Sequence, residues 1–268
     1  MIPADLHNHT SFSPDSEAPL SAMAARAEEL GFRYFGVTEH VDLDYEAYGM
    51  EIVPTDLEAF RAEFFRQKAA FAPRLELLFG AEFAFHPEAS PRYAALNERF
   101  PFDYVIQSVH AVEGKDPYFA DYFEGREKEG AYGAYFERVL ESLEAPYRFE
   151  ILGHVGYCLR GAPYPDKLTL SPRHLSVLDE IFRAAVRREI AVEINTNVRG
   201  CGSLTLPTPE MLRRYFALGG RLITFGSDAH QPRRVGENRD WAEHLAREIG
   251  FTEWCVFQGR KRLLLPLG

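Results

Sequence analysis

Cysteine is scarce in this chain: Cys158, Cys201 and Cys255 are the three in 268 residues, far apart and without CxxC spacing. That excludes a disulfide-stapled scaffold and a thiolate metal module, and leaves reduced, structural thiols as the expectation. Long hydrophobic runs are also missing. No stretch approaches the roughly 20 apolar residues of a membrane-spanning helix. Positive charge is in deficit, with a formal net charge of −10. An acidic surface argues against broad, sequence-independent nucleic-acid binding. A small phosphorylated substrate stays open, because metals and arginines can override the global field locally. Lysine is rare, and the basic residues are overwhelmingly arginine. Candidate chemistry begins within seven residues of Met1, which leaves no room for a signal peptide, so a cytoplasmic setting is expected. The length suits one α/β barrel, and no repeat, low-complexity tract or linker interrupts it.

What is present is a rhythm. Short apolar runs alternate with amphipathic helical stretches. Strands are expected at Ile2–Leu6, Tyr34–Thr38, Leu75–Ala81, Tyr104–Ser108, Phe149–Leu152, Ala191–Ile194 and Arg221–Phe225. Their Val, Ile, Leu and Phe content, with little polar alternation, suits strands covered on both faces. Helices are expected at Ser21–Leu30, from a capping box at Thr55-Asp56-Leu57-Glu58 to about Phe71, and after Ser171-Pro172 and Thr208-Pro209. Such alternation implies a parallel sheet. Functional groups at nearly every strand end favour a closed or nearly closed barrel, since an open sheet gathers its chemistry at one switch point.

Six of the nine histidines fall where an apolar run ends, and carboxylates fall there too. His7-x-His9 follows the first run; a period-two pair on an extended strand projects both imidazoles to one side. Asp228-x-His230 repeats that spacing behind Gly226 and Ser227. Glu82 closes Leu77-Leu78-Phe79-Gly80-Ala81, where a carboxylate is costly to bury unless paired or metal-bound. His40, His110 and His154 each close or follow an apolar run, and Asp15 lies just beyond the first pair. Any one of these is more simply a hydrogen-bonded structural residue. Their coincidence at six strand ends points to a multinuclear metal site, and imidazole with carboxylate suits Zn, Fe or Mn better than Mg or Ca.

The motifs His7-x-His9, Asp15, Thr38-Glu39-His40, Gly80-x-Glu82, Ser108-Val109-His110, Gly153-His154-x-Gly156 and Ser227-Asp228-x-His230 resemble the PHP (polymerase and histidinol phosphatase) superfamily. The resemblance runs over nearly the whole chain and in the family's order. It implies a single domain over residues 1–268, an α/β distorted seven-stranded (β/α) barrel, with three divalent or transition metal ions and no organic cofactor. It implies a first ion on His7, His9, Glu82 and Asp228. A second would lie on Glu82, His110 and His154, with Glu82 bridging, and a third on Asp15, His40 and His230. The opening His7-Asn8-His9-Thr10-Ser11-Phe12-Ser13-Pro14-Asp15 and the compact length are most similar to stand-alone histidinol-phosphate phosphatases. The expected activity is therefore hydrolysis of L-histidinol phosphate in histidine biosynthesis. The alternative is a PHP-type phosphoesterase acting on nucleotides or short oligonucleotides. A non-catalytic, metal-stabilised interaction domain is disfavoured by the full ligand set. Amidohydrolase barrels share the opening HxH and the closing Asp, but often use a strand-end lysine, and none is found here.

A phosphate dianion also calls for arginine forks. Arg160, in the Gly/Pro-rich stretch after His154, and Arg199, just past Asn195-Thr196-Asn197-Val198, are the best placed. Arg233 and Arg234 are weaker. Asp42, two residues after His40, is the candidate leaving-group acid, although a ligand-orienting role is equally open. Glu17, Phe12, Asp116, Tyr118 and Phe119 are candidates for the cationic, aromatic part of the substrate. His86, His174 and His244 stay outside the site, the last two as surface residues of helices. The loops 111–130 and 156–170 are expected to form its rim. No membrane or nucleic-acid partner is expected, and oligomeric state does not follow from the sequence.

Overall fold

The structure is a computed structural model that describes residues 2–45 and 53–267. Its centre is a parallel sheet in sequential order: β1 (Ala4–Asp5), β2 (Tyr34–Val41), β3 (Glu76–Ala84), β4 (Tyr104–Ser108), β5 (Ile151–Leu152), β6 (Ala191–Asn195) and β7 (Ile223–Gly226). The seam between β7 and β1 is bridged. Leu6 N–H donates to Phe225 O at 2.9 Å and Asp228 N–H to His7 O at 2.8 Å. The result is a nearly closed seven-stranded barrel, as the strand rhythm implies. Around it lie α1 (Leu20–Glu29), α2 (Leu57–Phe71), α3 (Ser90–Arg99), α4 (Lys128–Ser142), α5 (Pro172–Arg187), α6 (Pro209–Ala217) and α7 (Arg239–Ile249). An antiparallel hairpin of β8 (Glu253–Gln258) and β9 (Lys261–Pro266) follows. Among the described residues no helix is long and apolar enough to cross a membrane.

Two apolar layers hold the barrel. The outer one packs helix faces on the strands, with Phe60, Phe64 and Phe79 fully buried together. The inner one contains Leu6, Leu78, Tyr104, Ile106 and Ile151, and is closed by Cys255, Val256 and Phe257 of the hairpin. Each large side chain buried this way contributes about 1.5–3 kcal/mol. Tyr104 reaches across the interior to donate to Leu6 O at 2.6 Å. Gly36 and Gly80 make room for it, since a Cβ at Gly36 would stand 1.7 Å from the Tyr104 hydroxyl. With the N-terminal end plugged by the hairpin, the C-terminal strand ends are left to carry chemistry.

Several local expectations are corrected. The cap of α2 is Asp56, whose Oδ1 accepts from the Glu58 and Ala59 N–H groups. Thr55 instead ties Phe12 O and His40 O together through its hydroxyl. His174 is fully buried rather than superficial. It completes the capping box with Ser171 at the start of α5 and bonds Glu129 O at 2.9 Å. The helices α3 and α4 and the closing hairpin were not among the expected elements, and α7 was expected only as the helical pattern around His244.

Candidate metal centre

The seven-strand register brings the imidazoles and carboxylates together. His40 and Glu82 are directly paired between β2 and β3. His7 and His9 leave β1, His110 leaves β4, His154 leaves β5, and Asp228 and His230 leave β7. Asp228 and His154 adopt positive φ, at 50° and 20°. Strained backbone of this kind concentrates at functional sites. All the residues named above for metal ligation converge here.

The distances describe holes of metal size. Bonds of 2.0–2.1 Å in a tetrahedral site place neighbouring ligand atoms about 3.3 Å apart. His7 Nε2 lies 3.3 Å from Glu82 Oε2, and His9 Nε2 lies 3.6 Å from it. Asp228 Oδ1 completes the set, 3.4 Å from His9 Nε2 and 4.0 Å from His7 Nε2. Beside it, Glu82 Oε1 stands 3.2 Å from His110 Nε2 and 2.9 Å from His154 Nε2, with 3.3 Å between the two imidazole nitrogens. Asp15 Oδ2 lies 2.9 Å from His230 Nε2 and 3.6 Å from His40 Nε2. His7 Nε2, His9 Nε2, His230 Nε2 and Glu82 Oε2 are buried and have no hydrogen-bond partner among the described residues. Buried polar atoms left unpaired cost 1–3 kcal/mol or more each, so the donor set fits a bound cation.

The electrostatics agree. Burial raises the Glu82 carboxyl, but His7, His110 and His40 outweigh it and hold it well below the ordinary range. Asp228 is low for the same reason, with His7, His9 and Arg160 opposing burial. Burial lowers His7, yet Glu193, Glu82 and Asp228 lift it well above its usual value. His110 is lifted to about 10, chiefly by Glu82 against burial. His9 goes the other way, lowered by burial and by His40 and His230. Charge on each group is thus set by the others, as in sites built for catalysis or metals.

Above the cluster is a cavity of about 510 Å³, lined by Asp15, His40, Asp42, Glu82, His110, His154, Asp228 and His230. Arg160 and Arg199 line it too, as does Arg234, the weaker candidate on sequence. Arg160 Nη2 donates to Asp228 Oδ2 at 3.0 Å and to Asn195 Oδ1 at 3.1 Å. Its guanidinium lies 4.9 Å from the centre of the Tyr157 ring. Asp42 Oδ1 is 3.6 Å from His110 Nδ1. Asp116, Tyr118 and Phe119 line the same cavity, together with Tyr45 and Tyr157. Glu17 is exposed, and Phe12 packs against Phe60, so neither is part of the lining.

The PHP-domain family model matches residues 5–197. The chain belongs to the PHP domain family. A histidinol-phosphatase of Lactococcus lactis is 28% identical over 258 residues, covering 96% of this chain and 95% of the relative. A Clostridium acetobutylicum relative is 29% identical over 234 residues, covering 87% of this chain and 89% of its own. Among solved structures, the Lactococcus lactis histidinol phosphate phosphatase complexed with zinc, L-histidinol and phosphate superposes with a TM-score of 0.87. It is 27% identical, with 97% of this chain and 98% of that one covered. A Listeria monocytogenes structure, at 22% identity and TM-score 0.80, shares the fold.

This PHP site contains residues that sequence reasoning passed over. Glu39 accepts from the Thr10 and Ser13 hydroxyls beneath the cluster. Glu193, inside β6, meets His7 Nδ1 at 2.6 Å. Asp5 accepts from Ser227 and Gly236, and burial pushes its carboxyl up to about 6. A carboxylate inside a strand covered on both faces was the available signal, because its burial demands partners.

Proposed function

We propose that this chain is a metal-dependent phosphatase that hydrolyses L-histidinol phosphate to L-histidinol and phosphate in histidine biosynthesis. The observation that carries this reading is one cavity whose floor is a set of metal-sized imidazole–carboxylate holes and whose wall bears Arg160, Arg199 and Arg234. The full-length likeness to a histidinol phosphate phosphatase solved with zinc, histidinol and phosphate supports it. Three ions are proposed: on His7, His9, Glu82 and Asp228; on Glu82, His110 and His154; and on Asp15, His40 and His230. Bound there, they would supply Lewis-acid stabilisation of phosphoryl oxygens and activation of the attacking water.

The chain's own residues do the rest. Arg160 is held by Asp228 and Asn195 with its Nε buried and unbonded among the described residues, so donors remain for a phosphate oxygen. Arg199 lies further out, where it can meet the same dianion. Water oxygen joins phosphorus and gives up one proton, the ester P–O bond breaks, and the leaving alkoxide takes a proton, so that ester and water give alcohol and hydrogen phosphate with no net change in protons. Asp42 is the proposed donor of that proton; it lines the cavity, and its Oδ1 has no hydrogen-bond partner among the described residues. Asp116, Tyr118, Phe119 and Tyr157 form an acidic, aromatic wall suited to the ammonium and imidazole of histidinol. Burial raises the Asp116 carboxyl, which makes a cationic partner there more valuable. One domain over 1–268 and a cytoplasmic setting belong to the same proposal. All three cysteines are free and buried, as a reducing compartment allows.

The test is phosphate release from zinc-loaded protein on histidinol phosphate, nucleoside monophosphates, short oligonucleotides and an aryl phosphate. A preference for histidinol phosphate of a hundredfold or more is expected. Faster turnover of nucleotides or oligonucleotides would select the alternative, a phosphoesterase of nucleic-acid ends.

A further inference from the structure

We infer that Glu193 is a positioning residue that fixes the proton of His7 on Nδ1 and so aims its Nε2 lone pair into the metal hole. Glu193 is on β6 and 1% exposed. Its Oε1 lies 2.6 Å from His7 Nδ1. Its Oε2 accepts from His154 N–H at 2.8 Å and from Asn195 Nδ2 at 3.1 Å. The same Asn195 amide reaches Asp228 Oδ2 at 3.3 Å, and its Oδ1 accepts from Arg160. One buried carboxylate therefore touches His7 and the His154 backbone directly, and Asp228 and Arg160 through one amide.

The chemistry leaves a single assignment. An ionised carboxylate only accepts, so His7 Nδ1 must donate. In the neutral imidazole that metal binding requires, the remaining lone pair is on Nε2, the atom 3.3 Å from Glu82 Oε2. A second imidazole has the same arrangement at one remove. Ser13 Oγ donates to Glu39 Oε2 at 2.5 Å, which leaves its lone pairs for His40 N–H at 3.0 Å and His9 Nδ1 at 3.2 Å. An independent feature points to Glu193 as well. Gly226 on β7 faces this contact, and a Cβ there would stand 2.1 Å from Glu193 Oε1 and 2.6 Å from His7 Cβ. The barrel gives up a side chain at that position so that carboxylate and imidazole can meet.

Glu193→Gln tests the assignment. The Oε2 end must still accept from two N–H donors, so the amide oxygen takes that place. The amide NH₂ then faces His7 Nδ1 and drives the imidazole proton to Nε2, against the metal. The inference rests on the proposed metal centre, so zinc binding to the wild-type chain is measured first, by competition with a chromophoric chelator. Failure of wild type to bind zinc would sink that reading. With wild type binding, E193Q should bind its weakest zinc 10–100-fold less tightly, the usual effect of losing such an orienting partner. The melting temperature of chelator-stripped E193Q should stay within a few degrees of stripped wild type. Glu193→Asp keeps an acceptor-only carboxylate and should stay within about tenfold of wild-type affinity. Equal losses in E193D and E193Q, or zinc affinity unchanged in E193Q, would overturn the inference. A long-range ¹H–¹⁵N spectrum of the zinc-loaded wild type decides it without any variant. Nδ1 of His7 must appear protonated and Nε2 ligated, and the reverse pattern refutes the assignment.

Discussion

Arg160→Met separates phosphate binding from metal binding in this site. Methionine fills much of the arginine's volume without its charge. The side chain is 6% exposed and gives Asp228 Oδ2 a 3.0 Å charge-assisted contact. Burial lowers its pKa, but Asp228 and Tyr157 more than compensate, so the guanidinium is held firmly charged. Hydrogen bonds to charged groups contribute about 1.5–3 kcal/mol each. Two such bonds to a phosphate give roughly 3–6 kcal/mol, or about 10²–10⁴ in kcat/KM at 1.36 kcal/mol per decade. Arg160→Lys keeps the charge and loses the fork, so its loss should fall between wild type and Met. Arg199 is exposed, and Arg199→Met should cost only about tenfold, as expected of one solvent-screened contact. The assay is phosphate release with kcat and KM separated, beside zinc content and melting temperature. A folded, zinc-replete R160M with less than fivefold loss in kcat/KM would refute the assigned role. So would a loss matched by equal loss of zinc.

Asp116→Asn should raise KM for histidinol phosphate about 10–100-fold and leave the rate on an aryl phosphate unchanged; equal effects on both substrates would remove Asp116 from recognition. Metal-stripped protein should lose stability as pH rises. His110 is lifted from 6.5 to about 10, so its contribution is fully present below 6.5 and is lost through 10. Zinc binding needs the neutral imidazole, so the gap in melting temperature between loaded and stripped protein should widen over that window. A stripped protein that gains stability from pH 6.5 to 10 would contradict this. Gly36→Ala should destabilise the fold by about 3 kcal/mol in urea unfolding, because its Cβ would lie 1.7 Å from the Tyr104 hydroxyl inside the barrel; a change under about 1 kcal/mol would mean that the interior can rearrange.

The strands were legible because parallel strands covered on both faces read as continuous apolar runs. Tyr104–Ser108 is reproduced residue for residue. Phe149–Leu152 is shortened to Ile151–Leu152. There the Glu150 carboxylate, rather than a strand partner, accepts from Val105 N–H at 3.0 Å. The hairpin was hidden by its turn. Gly259 and Arg260 both have positive φ, at 54° and 63°, and Gly-Arg is not the Asn-Gly or Asp-Gly pair that normally announces such a turn. Ligating residues were readable because strand ends are few and His, Asp and Glu there stand out. Glu193 and Glu39 were not, because their role depends on partners brought in from the segment after β1, His7 for Glu193 and the Thr10 and Ser13 hydroxyls for Glu39, and only the closed barrel supplies those.

The shape and charge of the cavity bear on the choice of substrate class. The chain carries a net charge of −10, yet Arg160, Arg199 and Arg234 face one cavity. These three arginines place positive charge at the mouth of the metal cluster. A nucleic-acid strand is bound by a basic track with stacking platforms over several nucleotides, and its affinity comes from many phosphate contacts. A volume of about 510 Å³ is the scale of a small-molecule pocket. The aromatic series Tyr157, Tyr118 and Phe119, with ring centres 6.3 and 5.3 Å apart, runs from His110 and His154 to the rim. Asp116 takes a Tyr157 hydroxyl contact at 3.5 Å within that wall. An anion at the metals with a cation against Asp116 satisfies both ends of the cavity. A nucleotide would bring only negative charge and place no cation against the Asp116 carboxylate. A phosphorylated amine fits this distribution of charge, and a polyanion does not.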